Sequence, residues 1–351
     1  MLQKKSRSLL VSAMSAICVL AMVAGVGLIE VRGQSPSQIT VKFQEWDVPR
    51  GAGAHPHDPA SAPDGSAWYT GQRVNVLGRL NPATGEFKEF PLPTPNSGPH
   101  GLVPDKQGNI WYTGNAVGLI GKLDPKTGTV TEYKMPDPAV RDPHTAIFDQ
   151  KGILWFTAQG ANHVGRLDPA TGQVTVKQAS ASRSSPYGIV VNSRGIPFFD
   201  MFATNKIGSI DPQTMAITEY MLPEGARPRR IAVTADDVIW YTDYTRGFLG
   251  RLDPKTKQVK EFASPGGARS RPYGIAATKD GAIWYSESGV EPNTLVRFDP
   301  KTESMQKWEI PSGGGVVRHM VAAADGSTLW LACSGVGKLA RVQVTSIPAT
   351  N

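Results

Sequence analysis

The chain has 351 residues, with 37 glycines, 28 prolines, 19% charged residues and a formal net charge of +7. That length allows one large domain or two medium ones, and high Gly and Pro with few charges suit short strands joined by turns rather than long helices. The first 34 residues hold +3 of the charge (Lys4, Lys5, Arg7 and Arg32 against Glu30), which leaves +4 for the rest. No basic run interleaved with aromatics occurs, so no nucleic acid is expected as a partner.

A basic start precedes an apolar stretch from Leu9 to about Ile29, with Ala24, Gly25 and Gly27 near its end. Residues 1–34 read as a signal peptide, and the polar segment Gly33 to Ser37 that follows the apolar stretch favours cleavage. An uncleaved N-terminal anchor is the alternative, and the only route to a membrane. The mature protein is then exported, to the periplasm or the medium. Cys18 lacks a small residue before it, which argues against a lipoprotein. With Cys18 removed only Cys333 remains, so no intrachain disulfide can form.

After this segment one phrase recurs seven times. The copies place His57, His100, His144, Tyr187, Arg229, Tyr273 and His319 in one slot, at intervals of 43, 44, 43, 42, 44 and 46 residues. Eleven residues after each slot stands an aromatic: Trp68, Trp111, Trp155, Phe198, Trp240, Trp284 and Trp330. Ten further on lie Gly78, Gly121, Gly165, Gly208 and Gly250. The sixth copy runs two residues longer, with Val296 in that place, and the seventh runs three shorter, to Gly337.

Within a copy the period is two. "GLVPD", "NIWYT", "LIGKLDP" and "TVTEYKMP" are strand-length pieces separated by Gly and Asp-Pro turns. Four strands per repeat of about 43 residues is the arithmetic of a β-propeller blade. The last copy lacks its fourth strand, and "VKFQEWDVP", Val41 to Pro49, stands unmatched before the first. Pairing the two would close the ring. The fold expected is all-β: a single seven-bladed propeller of four-stranded blades over residues 38–346, closed by the N-terminal strand at about 41–49, with 347–351 as a tail. A monomer is expected.

In a propeller the innermost strands line the axis, so the seven slot residues form a ring there. His319, His57, His100 and His144 are consecutive around the closed circle, opposite Tyr187, Arg229 and Tyr273, and all can hydrogen-bond a small-molecule or peptide ligand. His in such a turn can equally serve packing, by bonding a neighbouring blade. Arg227, Arg229 and Arg230 in "ARPRRIAV" add positive charge suited to a carboxylate or sulfate. Four neighbouring imidazoles could also hold a transition metal. No P-loop, nucleotide fingerprint, CxxC pair or Gly-x-Ser-x-Gly elbow is present.

The repeated "PHG" or "PYG", with "IWYT", "WFT", "IWYSE", "IGKLDP" and "EYxxP", resembles the virginiamycin B lyase (streptogramin B lyase) family over nearly all of the chain after residue 34. The resemblance implies the propeller. It also implies an elimination in which a His removes the proton α to an ester carbonyl and the C–O bond of a cyclic depsipeptide breaks, with Mg²⁺ held by carboxylates. His319 matches the base. Val317 and Ser334 stand where the family's carboxylates are expected, and Tyr273 replaces a substrate-contacting His. Asp243 and Glu287, three residues after their blade aromatics, are the candidate metal carboxylates; each could instead cap a turn or pair with an Arg such as Arg246. A non-catalytic ligand- or partner-binding propeller and a His-ring metalloenzyme are the alternative functions.

Overall fold

The computed structural model describes residues 38–179 and 182–347. The signal or anchor segment and the end of the tail lie outside them. The described residues form seven four-stranded antiparallel sheets, with one four-residue 3-10 turn at Gly51–Ala54. Successive inner strands face one another, and the first (Pro56–Ser61) also meets the last (Val317–Ala322), so the blades close into a ring. No helix among the described residues is long and apolar enough to cross a membrane.

Closure is as the sequence predicts. The N-terminal strand Gln38–Asp47 pairs with Lys338–Ile347 and becomes the outer strand of the seventh blade. Trp46 stacks on Trp330 at 5.8 Å, and the Lys338 ammonium lies 2.7 Å from Asp47. The exposed edge that each terminus would leave alone is thereby removed.

The repeated residues have separate packing roles. Each repeat Trp is buried against the next blade, as Trp68 packs with Leu102, Ile110 and Tyr112. The indole N–H has a partner in blades one, two, three, five and six, as where Trp111 donates to Asp105 at 2.9 Å and Trp155 to Asp149 at 3.0 Å. The repeat glycine sits on the third strand opposite the residue after the Trp. A Cβ at Gly121 would overlap the ring of Tyr112, and one at Gly78 the ring of Tyr69. In the seventh blade the register pairs Leu331 with Ala340, so Ala340, not Gly337, holds this place. The smaller Leu leaves room for a methyl group.

A second repeated device joins neighbouring inner strands. Thr70 accepts the Asp58 N–H at 3.0 Å and donates to the His100 carbonyl of the next blade at 3.0 Å. Thr113, Thr157, Thr242, Ser286 and Ser334 make the same kind of inter-blade bond, with lengths of 2.6–2.9 Å. Blade four carries Asp200 at this position.

Candidate functional site

Every inner strand carries a bulge just after its slot residue, seen as a register shift such as that between Pro56 and Pro59. A bulge lets two successive side chains face the same way. The axis is therefore lined by two layers: the slot residues, and beneath them the residues that follow.

The upper layer keeps the His half and the Tyr/Arg half apart. The rings of His57, His100, His144 and Tyr187 lie against one another in series, at 3.7, 3.7 and 3.9 Å between centroids. All four are buried. The Tyr187 hydroxyl then meets that of Tyr273. Arg229, half-buried, has its guanidinium among four rings: Tyr273 at 4.0 Å, Tyr244 at 4.2 Å, Phe202 at 4.8 Å and Tyr187 at 5.5 Å.

In the seventh blade the hairpin is one residue longer, because Trp330 pairs with Val321 whereas Trp68 pairs with Ala60. The register therefore puts Arg318 level with His57. His319 falls one place on, in the lower layer beside Asp58. An identical count of eleven residues concealed this shift.

The lower layer is Asp58, Gly101, Thr145, Gly188, Arg230, Gly274 and His319. Its three glycines leave space, and Arg230 fills it. The Arg230 guanidinium, 1% exposed, donates to Asp58 Oδ1 at 3.0 Å in blade one and to Thr145 Oγ1 at 2.9 Å in blade three. The same Asp58 oxygen accepts a hydrogen bond from His57 Nδ1 at 2.8 Å. Asp58 is not singled out by the sequence, and Arg230 is named there only within the positive run Arg227, Arg229 and Arg230; the carboxylate it holds is the protein's own Asp58. The available signals were an Asp where three other copies have Gly, and an Arg doubled at the slot.

The protonation states follow from burial and this pair. Burial pushes the Asp58 carboxyl up, but Arg230, His319 and the His57 bond outweigh it and hold it well below the carboxylate range. Burial lowers His57, with Asp58 pulling the other way. His100 and His144 are driven well below the usual imidazole range, first by burial. His319 falls to about 3 by burial and Arg230, and His55 to about 4 by burial and Arg318. The ring is thus neutral imidazole at pH 7, over one ionised pair.

Asp243 and Glu287 have internal partners. Asp243 pairs with Arg246 at 2.6 Å and caps the N–H groups of Thr245 and Arg246. Glu287 accepts from Ser264 at 2.6 Å, and from Gly266 N–H and Thr294. Val317 is fully buried and the Ser334 hydroxyl is spent on the Pro56 carbonyl. The carboxylate set implied for Mg²⁺ therefore does not fit around His319. His57, Asp58 and His100 bring ligand atoms within 4.8 Å of one another. A divalent ion there would have to displace Arg230 or sit beside its charge, while Asp58 is already neutralised.

Residues 34–199 and 173–348 each match the virginiamycin B lyase family. No curated protein matches in sequence. Among solved structures, a streptogramin B lyase is 27% identical, with a TM-score of 0.79 over 87% of this chain and 98% of the other. A catalytically inactive virginiamycin B lyase from Staphylococcus aureus, solved with quinupristin, is 24% identical, with a TM-score of 0.77 over 87% and 99%. Kuenenia stuttgartiensis hydrazine synthase shares the fold at 12% identity, with a TM-score of 0.68 over 85% and 97%. With family matches running from residue 34 to residue 348 and all seven blades in place, the chain belongs to the virginiamycin B lyase family.

Proposed function

We propose that this propeller is a carbon–oxygen lyase, acting on a depsipeptide or related ester at the slot end of its axis. The observation that carries the reading is the His57–Asp58 dyad in a chain of this family. An ionised Asp58 accepts the Nδ1–H, which leaves the lone pair of His57 on Nε2. Burial keeps that imidazole unprotonated, and Asp58 strengthens it as an acceptor. His57 then takes the proton α to the carbonyl, the C–O bond breaks, and the electrons enter a new double bond. The leaving group departs as a carboxylate, which needs no proton at neutral pH, and the abstracted proton passes from His57 to solvent. His319 lacks such support: its Nδ1 is buried without a partner.

The carboxylates implied for Mg²⁺ are replaced or engaged, so the reaction proposed draws its positive charge from arginine. The protein is further proposed to be exported by its N-terminal segment and to work as a monomer. The test is incubation with the cyclic depsipeptide quinupristin, with and without a chelator. A ring-opened isomer of unchanged mass, formed in both, is expected. A product heavier by one water, or no product, overturns the lyase reading.

A binding propeller without chemistry is the second reading, favoured by the aromatic box around Arg229. Saturable quinupristin binding without turnover would select it.

A further inference from the structure

We propose that the substrate carries a free carboxylate, anchored by Arg229 with Arg271 beside it. This rests on the reading of the slot end as the substrate site. Arg73, Arg229, Arg271 and Arg318 stand at that end of blades one, five, six and seven, within two residues of the paired positions Gly71, Pro228, Pro272 and Val317. Among the described residues none of the four has a carboxylate within 4.0 Å, whereas Arg79 pairs with one and Arg246 and Arg297 with two each. The one ionised carboxylate of the axis, Asp58, is held by Arg230 and cannot serve Arg229.

Arg229 is also aimed. Four rings fix its guanidinium, and Arg271 lies 5.8 Å over the same Tyr244 ring. Aromatic faces stabilise the cation without using its N–H groups. The Nε atoms of Arg229 and Arg318 are buried without a hydrogen-bond partner. With its faces covered, a guanidinium offers its edge, and the planar group that matches that edge is a carboxylate. Because the side chain is already ordered, little conformational entropy is lost when the anion arrives. The cationic mouth also draws anions toward it. Phe202 and Tyr244, only half-buried at the rim, give the carbon skeleton of the ligand an apolar wall.

A cyclic depsipeptide has no C-terminal carboxylate, but a linear one does. The experiment compares a linear depsipeptide having a free C-terminal carboxylate with its C-terminal amide, the same ester being cleaved in both. The acid should be preferred in kcat/KM by about tenfold or more, mainly through KM, and Arg229→Gln should erase the preference. Arg271→Gln, at an exposed position, should reduce it in part with no effect on folding. Equal cleavage of acid and amide, or an Arg229→Gln variant that still prefers the acid, overturns the inference and leaves the lyase reading standing. If neither is cleaved the lyase reading fails. Calorimetric binding of acid and amide then decides the inference alone: tighter binding of the acid supports it, and equal or absent binding overturns it.

Discussion

Arg230 Nη2 lies 3.0 Å from Asp58 Oδ1, across the propeller axis and 172 residues along the chain. The pair ties blade five to blade one, and through Thr145 to blade three. Both side chains are 1% exposed. A buried pair adds little over an apolar substitute, but losing one partner strands a charge. Arg230→Met should therefore cost about 3–5 kcal/mol in urea unfolding. The double variant Asp58→Asn/Arg230→Met should recover most of that loss. A double variant no better than Arg230→Met would show that the pair acts by shape and not by charge.

Asp200 stands where blades one, two, three, five and six have Thr or Ser. Burial raises its pKa well above the usual value, against Arg230, the Gly188 N–H and Arg229, and its Oδ1 has no partner. The folded form keeps its proton while the unfolded form, with a pKa near 3.8, ionises. The resulting stability is full below pH 3.8 and declines as pH rises toward the folded pKa. Asp200→Thr restores the hydroxyl bridge and removes that loss. It should raise stability at pH 7 by about 1 kcal/mol, seen as a higher Tm. A lower Tm at pH 7 would refute this account.

The buried histidines act in the opposite direction. Their folded pKa values lie below 6.5, so the unfolded chain binds protons that the folded chain refuses. Their contribution is complete above pH 6.5 and is lost as pH falls, down to about 3 for His319. Each contributes a slope of about 1.4 kcal/mol per pH unit within its window. Tm should drop steeply between neutral pH and the mild acid range, and His100→Gln should make the drop shallower. A slope unchanged in that variant would show that His100 is protonated in the folded state.

For the reaction, His57→Ala should lower kcat about 10²–10⁴-fold with Tm little changed. His319→Ala should lower it by about tenfold or less. The reverse order would assign the base to His319. Either variant is read with circular dichroism, so that lost folding is not mistaken for lost chemistry.

Gly121→Ala places a methyl group into the ring of Tyr112 and should cost about 1–3 kcal/mol. Ala340→Gly, at the same place in blade seven, should cost about 1 kcal/mol or less, because Leu331 already leaves room there.

The blade period, the aromatic at a fixed offset and the missing outer strand were all legible in the sequence. Each is a local pattern that must repeat wherever the same packing repeats. The grouping of His57, His100, His144, Tyr187, Arg229 and Tyr273 around one axis followed from that periodicity. Periodicity also misled. Counting eleven residues back from Trp330 gives His319, but one extra hairpin residue shifts the pairing and sets Arg318 level with His57. The lower layer was legible only as separate residues, Arg230 and His319 among them, and not as a layer. It exists because a bulge turns two successive side chains inward, and a bulge is visible only in strand register. Ring closure then brings Asp58, Thr145 and Arg230, which lie far apart in the chain, to one point. There burial decides which groups carry charge: Asp58 and Arg230 are ionised as a pair, and the histidines above them are neutral.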